Sequence, residues 1–264
     1  VATAAVATAA VVTAAKVSAS VGGGSSDAGA GPGSAAGPRH GEGSSAYARE
    51  TGPRAGSGDR SRHGAGRTSL SFTEQMKGHL TFGTADPRAG ELDEAREPFA
   101  FRLTISTDDV HRFLAEPEHE ATADGWIEAA GCGGRRTVRQ GRFNLFAPTG
   151  EAQRRVMRYR LPFTDAQGRE LTLAGEKNVL HGPPTRIWPD TSTLYTRLLA
   201  GHVAAEDEAD AEVVGAGVLH IQLTDFARQL TTFRTGGPHG TTALMEFGRF
   251  FAGELWEVYG PDLT

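Results

Sequence analysis

Residues 154–180 read RRVMRYRLPFTDAQGRELTLAGEKNVL. The first half alternates apolar residues with arginine, in the order Met157, Arg158, Tyr159, Arg160, Leu161 and Phe163. A period of two is typical of a β-strand with one apolar face. The segment DAQG at 165–168 has the composition of a tight turn, and apolar residues at strand spacing follow it. We therefore predict a β-hairpin with strands at 155–164 and 170–180.

Similar short segments, separated by turn residues, lie on both sides of this hairpin. Further strands are predicted at 69–82, 99–106, 121–129, 135–146, 192–200 and 212–222. Short helices are predicted at 108–114 and 225–233, and a longer one at 242–259. About eight strands followed by a helix favour a mainly β fold: an antiparallel, lipocalin-like barrel or a two-layer sandwich, with short helices and a C-terminal helix. A barrel of eight strands is either filled by its own side chains or holds one small ligand.

Residues 1–68 differ sharply in composition from the rest. They contain no Leu, Ile, Phe, Trp or Met, whereas all 13 Phe and 3 Trp lie in residues 69–264. A segment without large apolar side chains buries too little surface to offset the entropy of ordering. We predict a disordered Ala/Gly/Ser-rich extension at 1–68 and a single β-rich domain at 69–264.

The charge pattern argues against several classes of partner. Residues 1–68 carry 7 Lys and Arg against 4 Asp and Glu, which leaves 20 basic and 28 acidic residues in the predicted domain. An acidic domain is a poor match for nucleic acid or anionic membranes. The apolar opening stretch 1–15 is too short and too rich in Thr for a membrane span. Arginine outnumbers lysine, and together with abundant Ala and Gly this suggests a bacterial protein, which we expect in the cytoplasm.

Catalytic and cofactor motifs are largely missing from the sequence. It contains no G-x-S-x-G, Walker A or H-E-x-x-H motif, and a G-x-G-x-x-A match at 41–46 lies in the predicted extension with no predicted strand before it and no predicted helix after it. The histidines lack metal-ligand spacing. The single cysteine, Cys132, is flanked by glycines and is expected to be exposed, and His220 is expected to be a core histidine. We expect neither a cofactor nor a bound metal.

Candidate ligand-binding residues come from polar and aromatic side chains near the predicted apolar faces. They are Asn144, Tyr159, His181, Trp188, Asp190, Thr193 and Tyr195. The set 188–195 follows a Pro-rich loop and leads into a strand, where it lines a barrel mouth in one interpretation and forms a structural corner in the other. Asn144 faces solvent or a pocket, and His181 is a functional or a turn residue. For Glu176 and Lys177 we expect solvated positions.

Several blocks of the predicted domain resemble a known group of proteins. They are SLSFTEQMKGHLTFG (69–83), FAFRLTISTDDVHRFL (99–114), GRFNLFAP (141–148), the hairpin quoted above with Arg154 to Leu180, IWPDTSTLYTRLL (187–199), AGVLHIQLTDFARQLTTFR (216–234) and FGRFFAGELWEVYG (247–260). This order resembles the region between the flavin oxidoreductase and the α/β-hydrolase parts of large actinobacterial glucose–methanol–choline (cholesterol-oxidase-like) proteins. HGPPTRIW (181–188) departs from the acidic turn expected there, and the resemblance implies no catalytic residues.

Three functional hypotheses follow from the predicted barrel and the resemblance. The first is an accessory module that binds an apolar small molecule, a sterol or lipid, in association with a flavin-dependent oxidoreductase. The second is a structural domain that docks an oxidoreductase or hydrolase chain. The third is a component of a steroid- or lipid-metabolising enzyme, although we expect no catalysis by this chain alone.

Overall fold

The computed structural model describes residues 66–151 and 153–260. The predicted extension therefore lies outside the described residues, apart from its last three positions. Among those, Thr68 is buried, and its carbonyl accepts a hydrogen bond from the Val110 amide.

Within the described residues the chain forms nine strands and five α-helices. The strands are β1 (Ser69–Phe82), β2 (Glu97–Thr107), β3 (Glu120–Ala129), β4 (Gly134–Pro148), β5 (Arg154–Thr164), β6 (Glu170–Leu180), β7 (Thr193–Ala200), β8 (Val213–His220) and β9 (Arg234–Gly236). The helices are α1 (Pro87–Leu92), α2 (Val110–Ala115), α3 (Ile187–Ser192), α4 (Leu223–Leu230) and α5 (Gly240–Tyr259). Single 3-10 turns lie at Ala130–Cys132, Pro184–Arg186 and Glu208–Asp210.

Strands β1 to β8 form a closed antiparallel barrel. Each strand pairs with the next one along the chain, and β1 pairs with both β2 and β8. The short strand β9 adds to the beginning of β1. Because the sheet closes on itself, the barrel prediction is confirmed and the two-layer sandwich is excluded.

The hairpin of β5 and β6 shows how the sequence sets the register. Leu161 lies opposite Leu173 and Phe163 opposite Leu171, so apolar pairs point into the barrel. At the turn, the Asp165 carboxylate accepts hydrogen bonds from the Arg169 backbone amide (2.8 Å) and guanidinium (2.7 Å). A one-residue slip would turn the apolar face outward, so this register is strongly specified.

One end of the barrel is packed solid. We call it the filled end, defined by the inward side chains of Leu80, Phe99, Ile127, Val138, Phe163, Leu171, Leu173 and Leu198, all of which are at most 4% exposed. The 3-10 turn at Cys132 lies at this end, and the Cys132 side chain is fully buried. The expectation of an exposed cysteine was therefore wrong, and burial raises the pKa of its thiol to about 11.

The opposite end carries the connections after β2, β4, β6 and β8 and is covered by helices. Here the expectation that residues from Trp188 lead directly into a strand that begins at 192 was wrong, because Ile187–Ser192 form helix α3 and the strand begins at Thr193. Pro189 lies in the first turn, where a missing amide hydrogen costs nothing. The hydroxyls of Thr191 and Ser192 donate to the Ile187 and Trp188 carbonyls at 2.6 Å.

Candidate functional site

A cavity of about 350 Å³ lies inside the helix-covered end of the barrel, which we call the hollow end. It is lined by strand residues, by helices α3 to α5 and by the segments between them: Phe72, Glu74, Phe143, Leu145, Met157, Lys177, Ile187, Trp188, Thr191, Ser192, Ile221, Leu223, Phe226, Gln229, Leu230, Phe233, Phe247, Phe251 and Leu255. Fourteen of these nineteen side chains are apolar. Such a lining, with a few polar groups, is typical of small-molecule sites.

Helices α4 and α5 supply the roof of the cavity through their apolar faces. On α4, Leu223, Phe226 and Leu230 follow one another at the spacing of a single helix face. On α5, Phe247, Phe251 and Leu255 do the same. The predicted apolar face of the C-terminal helix therefore meets the cavity rather than an unbroken core.

Three polar contacts hold α5 over the hollow end. The Arg155 guanidinium on β5 bonds Glu254 at 2.8 Å and Glu257 at 2.9 Å. The His181 imidazole donates from Nδ1 to the Val258 carbonyl at 2.8 Å. These contacts join the barrel rim to the last two turns of the helix.

A further hydrogen bond joins α5 to α3. The Tyr259 hydroxyl donates to the Asp190 carboxylate at 2.7 Å, and burial together with this carboxylate raises the pKa of the tyrosine. Asp190 also accepts a hydrogen bond from Arg186 at 3.3 Å. The helices that cover the cavity are therefore fastened to one another as well as to the strands.

The mouth of the cavity lies between α3 and α4. Leu223 lines the cavity and yet is 69% exposed, which places it at the rim. Trp188 and Phe226 are half-buried beside it and form an edge-to-face pair with ring centroids 5.3 Å apart.

The inner limit of the cavity is charged. Glu74 on β1 and Lys177 on β6 are 4% and 1% exposed, and Lys177 Nζ lies 3.2 Å from Glu74 Oε2. The Tyr159 hydroxyl donates to Glu74 Oε1 at 2.7 Å, and Lys177 Nζ lies 5.1 Å from the centre of the Tyr159 ring. We call Glu74, Tyr159 and Lys177 the buried polar cluster.

Burial dominates the electrostatics of this cluster. Desolvation lowers the pKa of the Lys177 ammonium, and the neighbouring Glu74 acts against that change. Desolvation and the Glu74 charge both raise the pKa of Tyr159 well above its ordinary value. The ionised forms of Glu74 and Lys177 carry opposite charges, so as an ion pair they add no net charge to the cavity.

Gln229 on α4 extends the polar wall. Its Nε2 lies 3.5 Å from Glu74 Oε2, the oxygen that Lys177 also contacts. Its Oε1 is buried and has no hydrogen-bond partner among the described residues. A residue of the cavity wall therefore contains a buried acceptor that has no partner among the described residues.

Of the seven candidate residues from the sequence, the structure places one in the lining of this cavity, Trp188. Tyr159 lies directly behind the lining, in the buried polar cluster. His181 and Asp190 hold α5 in place, as described above.

The other three candidates lie on the outside of the barrel. The Asn144 amide donates to the Glu118 carbonyl at 2.9 Å. Thr193 Oγ1 lies 3.3 Å from His220 Nδ1. Tyr195 receives the Arg88 guanidinium over its ring at 5.4 Å. Their contacts are with neighbouring surface groups, and the structure does not bring them together with Trp188.

Two expectations about charged and polar strand residues were wrong. Lys177 was expected to be solvated and is buried inside the barrel. His220 was expected in the core and instead faces outward at the end of β8, 3.1 Å from Glu91. In both cases the alternation of the strand determines which way the side chain points. Lys177 is in phase with Leu173 and Val179, which point inward, whereas His220 is one residue out of phase with the buried Leu219.

Sequence analysis also missed Glu74 and Gln229. For Glu74 a signal existed, because it lies in phase with Leu70, Phe72 and Met76 on an otherwise apolar strand face. A carboxylate on such a face needs a buried partner. Gln229 carried no comparable signal, since polar residues are common on short helices.

No helix among the described residues is long and apolar enough to cross a bilayer. In the same part of the chain, no group of three or more His, Cys, Asp or Glu side chains is placed to hold a metal ion. Comparisons with protein-family models, with curated proteins and with solved structures find no match to this chain. The resemblance to the flavin oxidoreductase proteins therefore stays a prediction.

Proposed function

We propose that this protein binds an apolar small molecule, of the lipid or sterol class, in the cavity at the hollow end of the barrel. The observation that carries the proposal is the cavity itself, about 350 Å³ of space with an apolar lining and a mouth at Leu223. Burying apolar ligand surface there contributes about 25 cal/mol per Å². Pockets of this size and composition are the usual sites of small ligands.

The size of the cavity bears on the ligand class. Liquid water occupies about 30 Å³ per molecule, so the cavity has the volume of roughly a dozen non-hydrogen atoms. A medium-chain lipid matches that size. A sterol is bulkier and would extend through the mouth between Trp188 and Leu223.

Fluorescence of N-phenyl-1-naphthylamine, a neutral apolar probe, tests this proposal with the full chain. We expect saturable enhancement on binding, and loss of that enhancement in Leu145→Trp, where the larger ring occupies the cavity. The matched control is Leu92→Trp, because Leu92 is 78% exposed on α1 and does not line the cavity. Equal probe binding by Leu145→Trp and Leu92→Trp would reject the cavity as the binding site.

Association with a flavin-dependent oxidoreductase or a hydrolase chain is a separate proposal that rests on the resemblance alone. Pull-down of such an enzyme by the purified chain, with direct binding of the two pure proteins, would support it. If the purified chain binds the fluorescent probe but no such enzyme, the chain acts as a carrier without an enzyme partner.

A further inference from the structure

We propose that the preferred ligand is a neutral alcohol whose hydroxyl group binds between Lys177 and Gln229. This inference deepens the proposed function and depends on it, because it concerns the polar wall of the same cavity. The argument rests on the hydrogen-bonding capacity that Gln229 and Lys177 keep after their contacts among the described residues.

The acceptor on this wall is Gln229 Oε1. The amide orientation is fixed by Glu74, since the Nε2 side faces the carboxylate at 3.5 Å and the reverse orientation would set two oxygens against each other. Oε1 is then buried without a partner among the described residues. A buried polar atom left unsatisfied is costly, so a ligand that donates a hydrogen bond there binds more tightly.

The donor on the same wall is Lys177 Nζ. An ammonium group has three N–H bonds. Of the described contacts, one is the hydrogen bond to Glu74 Oε2 and another is the approach to the Tyr159 ring. The remaining N–H can be donated to a ligand oxygen.

A hydroxyl is the simplest group that satisfies both sites. It donates one hydrogen bond, to Gln229 Oε1, and accepts one, from Lys177 Nζ. A ketone or ether only accepts and leaves Gln229 Oε1 unpaired. A carboxylate brings a net charge into a cavity where Lys177 is already neutralised by Glu74, and burial of an uncompensated charge is strongly unfavourable.

Competition against N-phenyl-1-naphthylamine on the full chain separates these ligands. The probes are 1-undecanol, 2-undecanone and undecanoic acid, which share one chain length. We expect 1-undecanol to bind at least about tenfold more tightly than 2-undecanone, the effect of one buried hydrogen bond, and undecanoic acid to bind most weakly at neutral pH. Similar affinities for the alcohol and the ketone, or tighter binding of the acid, would overturn the inference while the cavity function stands.

The Gln229→Met variant tests whether Gln229 causes the preference for the alcohol over the ketone. It keeps the length of the side chain and removes the acceptor, so we expect alcohol and ketone affinities to become equal within about threefold. Gln222→Met is the matched control on an exposed residue just before the same helix and retains the preference. Retention of the preference in Gln229→Met would overturn the inference, and failure of every probe to bind the parent chain would reject it together with the proposed function.

Discussion

The two ends of this barrel are formed by the same eight strands, yet one is packed solid and the other encloses a cavity. At the filled end, apolar side chains from neighbouring strands lie opposite each other and fill the interior, as Leu171 and Phe163 do. At the hollow end, the strands supply Phe72, Phe143 and Met157, and the space above them is enclosed by helices rather than filled. Closure of a barrel therefore does not decide whether its interior is filled or hollow. The side chains and the covering helices at each end decide it.

The buried polar cluster separates the two ends, and removing one of its charges is expected to have the largest effect. In Glu74→Gln, the Lys177 ammonium loses its ionic partner inside the barrel, so we expect the free energy of unfolding to fall by about 3–5 kcal/mol. Urea unfolding followed by circular dichroism measures the change. Glu176→Gln is the matched control, because Glu176 points outward and makes only the longer contacts to Arg154 (3.8 Å) and Arg158 (3.6 Å).

The double variant Glu74→Leu/Lys177→Met sharpens this test. Replacing both charges with apolar groups is expected to restore most of the stability, since a buried ion pair contributes little beyond its apolar replacement. The same protein should bind the alcohol and the ketone more weakly by similar factors, because both ligands accept a hydrogen bond from Lys177. If the double variant is as unstable as Glu74→Gln, the ion pair contributes stability that apolar side chains cannot replace.

Shortening one leucine at each end tests the packing difference itself. Leu173→Ala at the filled end is expected to cost about 2–5 kcal/mol, because it opens a new void in close-packed surroundings. Leu145→Ala is expected to cost at least about 1 kcal/mol less, since Leu145 already faces the cavity on one side and loses fewer contacts. Both side chains are at most 3% exposed, so burial does not explain the difference. Equal losses in urea unfolding would contradict a hollow end.

A smaller effect is expected at His119, which lies at the hollow end. Its Nδ1 donates to the Leu145 carbonyl at 2.9 Å, and its ring lies 4.5 Å from that of Phe250. Burial lowers the pKa of His119 below the ordinary value of 6.5, against the opposing influence of its hydrogen bond and of Glu254 and Glu118.

The sign of the resulting pH dependence follows from this lowered pKa. The unfolded chain takes up the proton first as the pH falls, so the contribution of His119 to stability is complete above about pH 6.5 and is lost below it. We expect His119→Gln, which keeps an amide donor but does not titrate, to lose less stability than the parent between pH 7.5 and pH 5. His111→Gln, at a half-exposed position, serves as the control, and identical losses in the parent and His119→Gln would exclude the effect.

Much of the fold was predictable from the sequence, and the reason is visible in the hairpin at 154–180. Where one strand face is apolar and the other polar, period-two alternation specifies both the strand and its register, and eight strands were placed this way within two residues of their ends. The predicted C-terminal helix and its apolar face were confirmed because its apolar residues recur at helical spacing. Helix α3 was missed because its six residues are too few for a helical period to appear.

The site was less predictable because it depends on contacts between distant segments. Of the residues that lined a barrel mouth in one of the two interpretations, Trp188 lines the cavity. Thr193 and Tyr195 follow it in sequence and face away from the barrel interior. Glu74, Lys177 and Gln229 come from β1, β6 and α4, and only closure of the barrel brings them together. An ionisable residue in phase with an apolar strand face was the available signal, and it would have identified Glu74 and Lys177 but not Gln229.

Xenon binding tests the contrast between the two ends most directly, because xenon occupies dry apolar cavities. Crystals of the protein pressurised with xenon are expected to show the gas bound between Phe143, Leu230 and Phe247. No xenon is expected among Phe163, Leu171 and Leu173, where side chains fill the barrel. An unoccupied hollow end, or xenon bound equally at both ends, would contradict the account.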